Sequence, residues 1–184
     1  MLSQFSPENG KSCLADLLFN FPKDVYPVGR LDEDSEGLLL ITNDKKINHK
    51  LLNPDFAHRR TYWVQVEGEI TDEALQTLSG GVEISINGKH YFTLPAIAER
   101  LLVPPDLPER NPPVRFRKSI PTSWLSLTLV EGKNRQVRKM TAKTGYPTLR
   151  LVRVAIENIT INNMKVGQVK MLSGSEIYDL LNIK

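Results

Sequence analysis

Gly29-Arg30-Leu31-Asp32-Glu33-Asp34-Ser35-Glu36-Gly37-Leu38-Leu39-Leu40-Ile41-Thr42-Asn43-Asp44 sets four carboxylates and an arginine immediately ahead of an uninterrupted apolar run, Leu38 to Ile41. Bounded by Gly37 and by Asn43-Asp44, that run predicts a buried strand over 37–43. Polar groups at the mouth of a buried strand rest on a rigid support, which a catalytic carboxylate requires. Two blander readings compete. An acidic turn before a strand is often only a solvated loop. The segment from Asp32 to Gly37 also opens like a calcium-binding EF-hand loop, but the bidentate glutamate needed at its twelfth position is Asn43, and Leu38–Ile41 suit a strand better than a ligand loop.

Outward from this block, Asp44 predicts an N-cap for a short helix through Lys45–Leu52 that stops at Asn53-Pro54. Upstream, residues 12–19 read as a short helix ending before Pro22. Downstream, Tyr62, Val64 and Val66 alternate with polar partners over 59–68, a half-buried strand with its tyrosine on the apolar face. Thr71 opens a helix closed by Gly80-Gly81. Asn87-Gly88 between 82–86 and 89–92 is a hairpin turn. Trp124–Val130 alternates as a strand and leads into a helix over Arg135–Thr144 with Gly145 at its C-terminal end. There Val137, Met140, Thr141 and Thr144 face the core, so Arg135, Arg138 and Lys139 share another side. A strand follows around Leu149–Ala155, and Ser173 with Glu176 forms a capping box for a terminal helix. Residues 104–121 hold six of the twelve prolines together with Arg110, Arg115, Arg117 and Lys118, and predict an extended basic arm.

The chain has 184 residues, 40% hydrophobic and 24% charged, enough for one well-buried core or two lobes of an ordinary globular protein. It contains no apolar run long enough to span a membrane and no secretory signal pattern. Cys13 is the only cysteine, which excludes an internal disulfide or cysteine-rich zinc site and fits a reducing, cytoplasmic setting. The net charge of +3 is unevenly spread: residues 131–153 carry +6, leaving −3 for the rest. A basic stripe on a near-neutral body is the footprint of a polyanion, most simply nucleic acid.

Several chemistries drop out. Gly10-Lys11-Ser12 mimics the end of a phosphate-binding loop, but the glycine required five residues earlier is Phe5. His49, His58 and His90 lie in no metal-ligand spacing and read as surface or capping residues. Neither a nucleophile elbow nor a dinucleotide-binding glycine motif is present. What remains is a carboxylate beside an arginine, a strand tyrosine and a basic helix. Together they suffice for chemistry on a nucleotide base: the arginine keeps the carboxylate ionised, the tyrosine stacks on a flipped base, and the basic stripe holds phosphates. No metal or organic cofactor is called for.

Residues 28–44 resemble the catalytic motif of the small-subunit-type ribosomal pseudouridine synthases. The strand around Arg60, Tyr62, Gln65 and Val66 is similar to that family's tyrosine strand, and Glu131–Met140 to its basic motif. Leu149-Arg150-Leu151 with Arg153, and the Gly167, Leu172, Glu176 ending, continue the likeness in order. The arm sequences Arg110–Val114 and Lys118–Leu125 are similar to members that act on large-subunit RNA.

The resemblance implies an α+β fold with a mixed, mostly antiparallel central sheet flanked by helices, in two lobes about a catalytic cleft. It implies that residues 1–184 form one catalytic domain, with no N-terminal RNA-binding domain of the S4 type. By the same likeness Asp32 is the catalytic carboxylate, Tyr62 packs against the target uracil and transfers a proton, and Arg138 pairs with Asp32, with Arg135 as the alternative. Arg30 fills the space left by the flipped nucleotide. Lys133, Arg135, Lys139, Arg110, Arg115 and Arg117 are the expected RNA contacts. The expected partner is ribosomal RNA, 23S favoured, and the expected state a monomer. A non-catalytic RNA-binding protein of this fold would have lost the aspartate or its arginine, and a metal-dependent nuclease using Asp32, Asp34 and Glu36 lacks a plausible cage.

Overall fold

In the computed structural model, which describes residues 1–115 and 117–183, the chain opens with a single 3-10 turn at Leu14–Asp16, not the helix expected over 12–19. The Asp16 carboxylate accepts the Cys13 amide at 2.8 Å and closes the turn, and Leu17 is already extended. Strands β1 (Tyr26–Pro27), β2 (Glu36–Gly37) and β3 (Ile41–Thr42) follow.

The block over 37–43 is therefore not one strand. Gly37 has φ +106°, and an added Cβ would lie 2.2 Å from the carbonyl oxygen of Arg153. Only glycine tolerates both that backbone and that approach. The chain turns there, and β2 and β3 take different partners while Leu38 and Leu40 between them are buried.

Helix α1 (Lys45–Leu52) starts where Asp44 predicts, the Asp44 carboxylate accepting the amides of Lys46 and Ile47. Strand β4 (Arg60–Glu67) precedes α2 (Asp72–Gly80), whose N-cap is Thr71. The hairpin β5 (Glu83–Ile86) and β6 (Lys89–Phe92) turns through Asn87 and Gly88, both at positive φ. Strand β7 (Ile97–Leu101) has no counterpart in the sequence reading. After residues 104–121, irregular where described, come β8 (Thr122–Leu129), α3 (Gln136–Lys143), β9 (Thr148–Ile156), β10 (Ile159–Thr160) and α4 (Gly174–Leu180). The Ser173–Glu176 capping box opens α4 as the sequence predicts.

The main sheet runs β10-β9-β4-β8-β7, every pairing antiparallel, with β2 added parallel to β9. This is the expected mixed, mostly antiparallel α+β arrangement. Two apolar clusters form. One gathers Val64, Val66, Leu125, Leu127 and Leu151 from the sheet with Leu78 of α2 and Val137 and Met140 of α3. The other gathers Leu38, Leu40, Ile47, Leu51, Ile156 and Leu181. Alternation explains the first, since every second side chain of β4 and β8 points to the same face. Loop 32–36 lies where the two meet, Leu38 belonging to one cluster and α3, which grips the loop, to the other.

Candidate active site

The acidic loop is held from both ends. At its start Ser3 and Leu31 exchange two hydrogen bonds, Leu31 N donating to Ser3 Oγ at 3.0 Å and Ser3 Oγ to Leu31 O at 3.2 Å. Inside it the Ser35 amide donates to Asp32 O at 2.9 Å, closing a turn. At its end β2 pairs with β9, and Leu38 N donates to Arg153 O at 2.8 Å. The loop is thus supported by β9 and not, as the sequence predicts, by a strand over 37–43.

Two arginines of the basic motif meet the loop. Arg135 makes a bidentate pair with Asp34, Nη1 to Oδ1 at 3.0 Å and Nη2 to Oδ2 at 2.9 Å, and its Nη1 is 3.7 Å from Asp32 Oδ2. Arg138 donates from Nη2 to the Asp34 carbonyl at 2.7 Å, and its Nε is 3.4 Å from Asp34 Oδ2. The sequence predicts an Arg138–Asp32 ion pair; the structure gives that pair to Arg135 instead. The reason lies in the backbone. Arg135 is not in the helix but is its N-cap, at φ 51° and ψ 34° in the left-handed region, so it does not follow the helical spacing it would share with Arg138 and Lys139.

Charge follows the geometry. The hydrogen bond from Arg135 holds the Asp34 carboxyl below the usual carboxylate range, against a smaller opposing effect of desolvation. The same bond raises the Arg135 guanidinium. Arg138, more deeply placed, is lowered by burial. Among the described residues, Ser35 Oγ, Arg138 Nε and Arg153 Nη2 are the buried side-chain polar atoms without a hydrogen-bond partner, and all three lie on or against this loop.

Tyr62 is two strands away from β2. Gly37 pairs with Arg153, and Arg153 pairs with Tyr62, so the loop end, the arginine and the tyrosine follow one another across β2, β9 and β4. Tyr62 packs half-buried against the first apolar cluster, as its alternation predicts. Arg153 is buried and donates from Nε to Leu38 O at 2.7 Å. Arg60, also on β4, donates to the carbonyls of Leu51 and His58, and burial lowers its guanidinium. Arg30 is exposed beside the loop.

The basic stripe is less of a surface than its composition suggests. Arg150 and Arg153 are 8% and 5% exposed, and Arg150 is bidentate to Glu36, Nε to Oε1 at 3.0 Å and Nη2 to Oε2 at 2.8 Å. Glu131, the stripe's one acid, is 2% exposed. It accepts from Gln136 Nε2 at 2.7 Å, from the Leu94 amide at 2.9 Å and from the Tyr91 hydroxyl. That last bond, reinforced by desolvation, pushes the Tyr91 phenol up to about 12. Gln136 Oε1 in turn accepts the Lys133 amide at 2.9 Å, fixing the loop that presents Arg135. Nothing in the local pattern announces this network, because two of its partners, Leu94 and Tyr91, lie 37 and 40 residues from Glu131.

The remaining sites are scattered. Lys133 Nζ sits 4.8 Å from the Tyr91 ring centroid, and Lys139 donates to Asn134 at 3.2 Å. On the arm, Arg110 and Arg117 are engaged by acids, Arg110 Nε with Glu36 at 3.2 Å and Arg117 Nη1 with Glu67 at 2.7 Å, while Arg115 and Lys118 are exposed. His58, expected at the surface or as a cap, is buried, its Nδ1 3.0 Å from Glu157 Oε1, where it ties the start of β4 to the turn after β9. Among the described residues no three His, Cys, Asp or Glu side chains are grouped to hold a metal ion, and no helix is long and apolar enough to cross a membrane.

The fold is that of a pseudouridylate synthase: a crystal structure of one superposes with a TM-score of 0.73 over 94% of this chain and 66% of that chain, at 24% identity. Residues 3–143 match the family described as RNA pseudouridylate synthase, and the chain belongs to that family. Among its relatives, ribosomal large subunit pseudouridine synthase E of Vibrio vulnificus is 50% identical, over 94% of this chain and 70% of its own length. The enzyme of the same name from Xanthomonas campestris is 48% identical, over 91% of this chain and 88% of its own length.

Proposed function

We propose that the protein isomerises one uridine of ribosomal RNA, in the large-subunit (23S) molecule, to pseudouridine, working as a monomeric catalytic domain in the cytoplasm. The observation that carries this reading is the identity of about half the residues, over nearly the whole chain, to relatives named for that activity. In the reaction the C1′–N1 bond breaks, the uracil turns, a bond forms between C1′ and C5, and the C5 proton leaves while N1 gains one. Asp32 is the carboxylate that drives bond cleavage, acting ionised beside Arg135. Arg138 holds the loop that carries Asp32 through the Asp34 carbonyl. Tyr62 stacks on the flipped uracil and assists the proton transfer at C5. Arg30 occupies the gap left in the RNA, and Lys133, Lys139 and the exposed arm cations meet phosphates.

No step calls for a metal or an organic cofactor. Ribosomal RNA labelled with 5-tritiated uridine tests the reaction: isomerisation releases tritium to water, and activity should persist in EDTA on a short pre-structured stem-loop. Mapping pseudouridines in cells lacking the protein tests the substrate. A missing large-subunit site is the expected result. An intact large-subunit map, with a site lost from small-subunit or transfer RNA, would defeat the substrate assignment and leave the chemistry standing.

A further inference from the structure

Glu36 joins three segments that are far apart in the sequence. Its two oxygens take the bidentate grip of Arg150 from β9, and Arg110 Nε, from the arm, lies 3.2 Å from Oε1. The same Arg150 Nη2 donates to Pro108 O at 2.8 Å, and Arg110 Nη2 reaches Asp34 O at 3.4 Å. Acidic loop, sheet and arm are thus tied in one knot four residues beyond Asp32.

The two arginines do different work. Arg150 is buried and already bidentate, so it neutralises Glu36 without help. Arg110 adds little to that neutralisation. It adds a link between an irregular basic segment at the surface and the Asp34 carbonyl that Arg138 also holds. A second guanidinium on a satisfied carboxylate makes a contact that can be gained or lost without unfolding the sheet.

We propose that Arg110 and Glu36 are positioning residues, through which the placement of the arm on RNA sets the alignment of Asp32. This rests on the reading of Asp32 as the catalytic carboxylate. Arg110 then differs from its arm neighbour Arg115: one aligns the reacting group, the other contributes only to binding.

The test compares Arg110→Ala and Arg115→Ala in steady-state tritium release from in vitro transcribed large-subunit RNA. Arg110→Ala should lower kcat by about tenfold with KM changed by less than about twofold, and Arg115→Ala should raise KM and spare kcat. The Glu36→Gln and Arg110→Ala effects should combine to less than their product, since Arg110 engages the loop partly through Glu36. Amide exchange gives a readout that needs no activity: Ser35, whose amide closes the loop turn on Asp32, should exchange at least about fivefold faster in Arg110→Ala than in wild type. An Arg110→Ala enzyme that loses only KM, or unchanged Ser35 exchange, overturns the proposal. Wild-type protein without tritium release would count against the proposed reaction, and the exchange comparison would still decide the role of Arg110.

Discussion

Arg135 serves Asp34 before it serves Asp32: the same guanidinium is bidentate to Asp34 at 3.0 and 2.9 Å and stands 3.7 Å from Asp32 Oδ2. Among the described residues Asp32 thereby has one long ionic contact, and its side chain is 36% exposed. Asp34 absorbs the strong hydrogen bonds. The division separates a carboxylate that builds the site from one that is available for chemistry.

Asp32→Asn should accordingly abolish tritium release and hardly touch folding. Exposed ion pairs contribute at most about 1 kcal/mol, so the melting temperature should stay close to wild type. Activity within a few-fold of wild type would remove Asp32 from its assigned role.

Asp34 should show itself in the pH dependence of stability. Its folded carboxyl is held below its unfolded value, near 4, by the Arg135 hydrogen bond. The stabilisation is then fully present above the unfolded value and fades as pH falls through the lower, folded one. Melting curves of wild type and Asp34→Asn should differ at neutral pH and converge below about pH 4. A gap that stays constant into acid would mean that the carboxylate contributes nothing as a charge.

Gly37→Ala should be the most damaging of the conservative changes. The new methyl would meet the Arg153 carbonyl oxygen at 2.2 Å and its amide nitrogen at 2.7 Å, on a backbone at φ +106°. Urea unfolding should show a loss of about 2–4 kcal/mol, with turnover falling as β2 moves off β9. Gly80→Ala is the natural contrast. It lies in α2 with nothing within 4 Å of the added carbon, and should be neutral or stabilising by up to about 1 kcal/mol.

Substitutions of Arg138 and Arg135 should separate in stability while both lower turnover. Arg138 is 12% exposed and satisfies the Asp34 carbonyl, so Arg138→Ala should cost about 1–3 kcal/mol as well as activity. The Arg135 side chain is 43% exposed, and Arg135→Ala should lower activity with little change in the urea midpoint. Equal losses of stability would show that the loop depends on both grips alike.

What could be read from the sequence was what is settled locally. Asp44, Thr71, the Ser173–Glu176 box and Asn87-Gly88 each act on backbone groups within three residues, and each does what it predicts. The half-buried strand of Tyr62 and most of the core face of α3 (Val137, Met140 and Thr141) follow from periodicity alone, whereas Thr144 is the half-buried C-cap and buried Gln136 lies outside the predicted face. Leu38–Ile41 misleads because an apolar run records burial and not pairing: Leu38 and Leu40 are buried while the chain changes partner. Arg150 and Arg153 read as surface charge because the groups that bury them, Glu36 and Leu38, lie 114 and 115 residues away. Helical spacing puts Arg135 on the flank of a helix that it only caps. Strand β7 alternates weakly and its register with β8 is a tertiary choice.

The span between Glu36 and Arg150 also bears on how the protein comes into being. Contacts of such separation close large loops and form late, after local helices and hairpins are in place. A nascent chain emerging from a ribosome as far as Gly145 would already contain Asp32, Tyr62, Arg135 and Arg138. It would still lack β9, the strand that anchors the acidic loop and lies beside Tyr62. On the proposed reading of Asp32, competence for chemistry would therefore arise only once that strand has been synthesised.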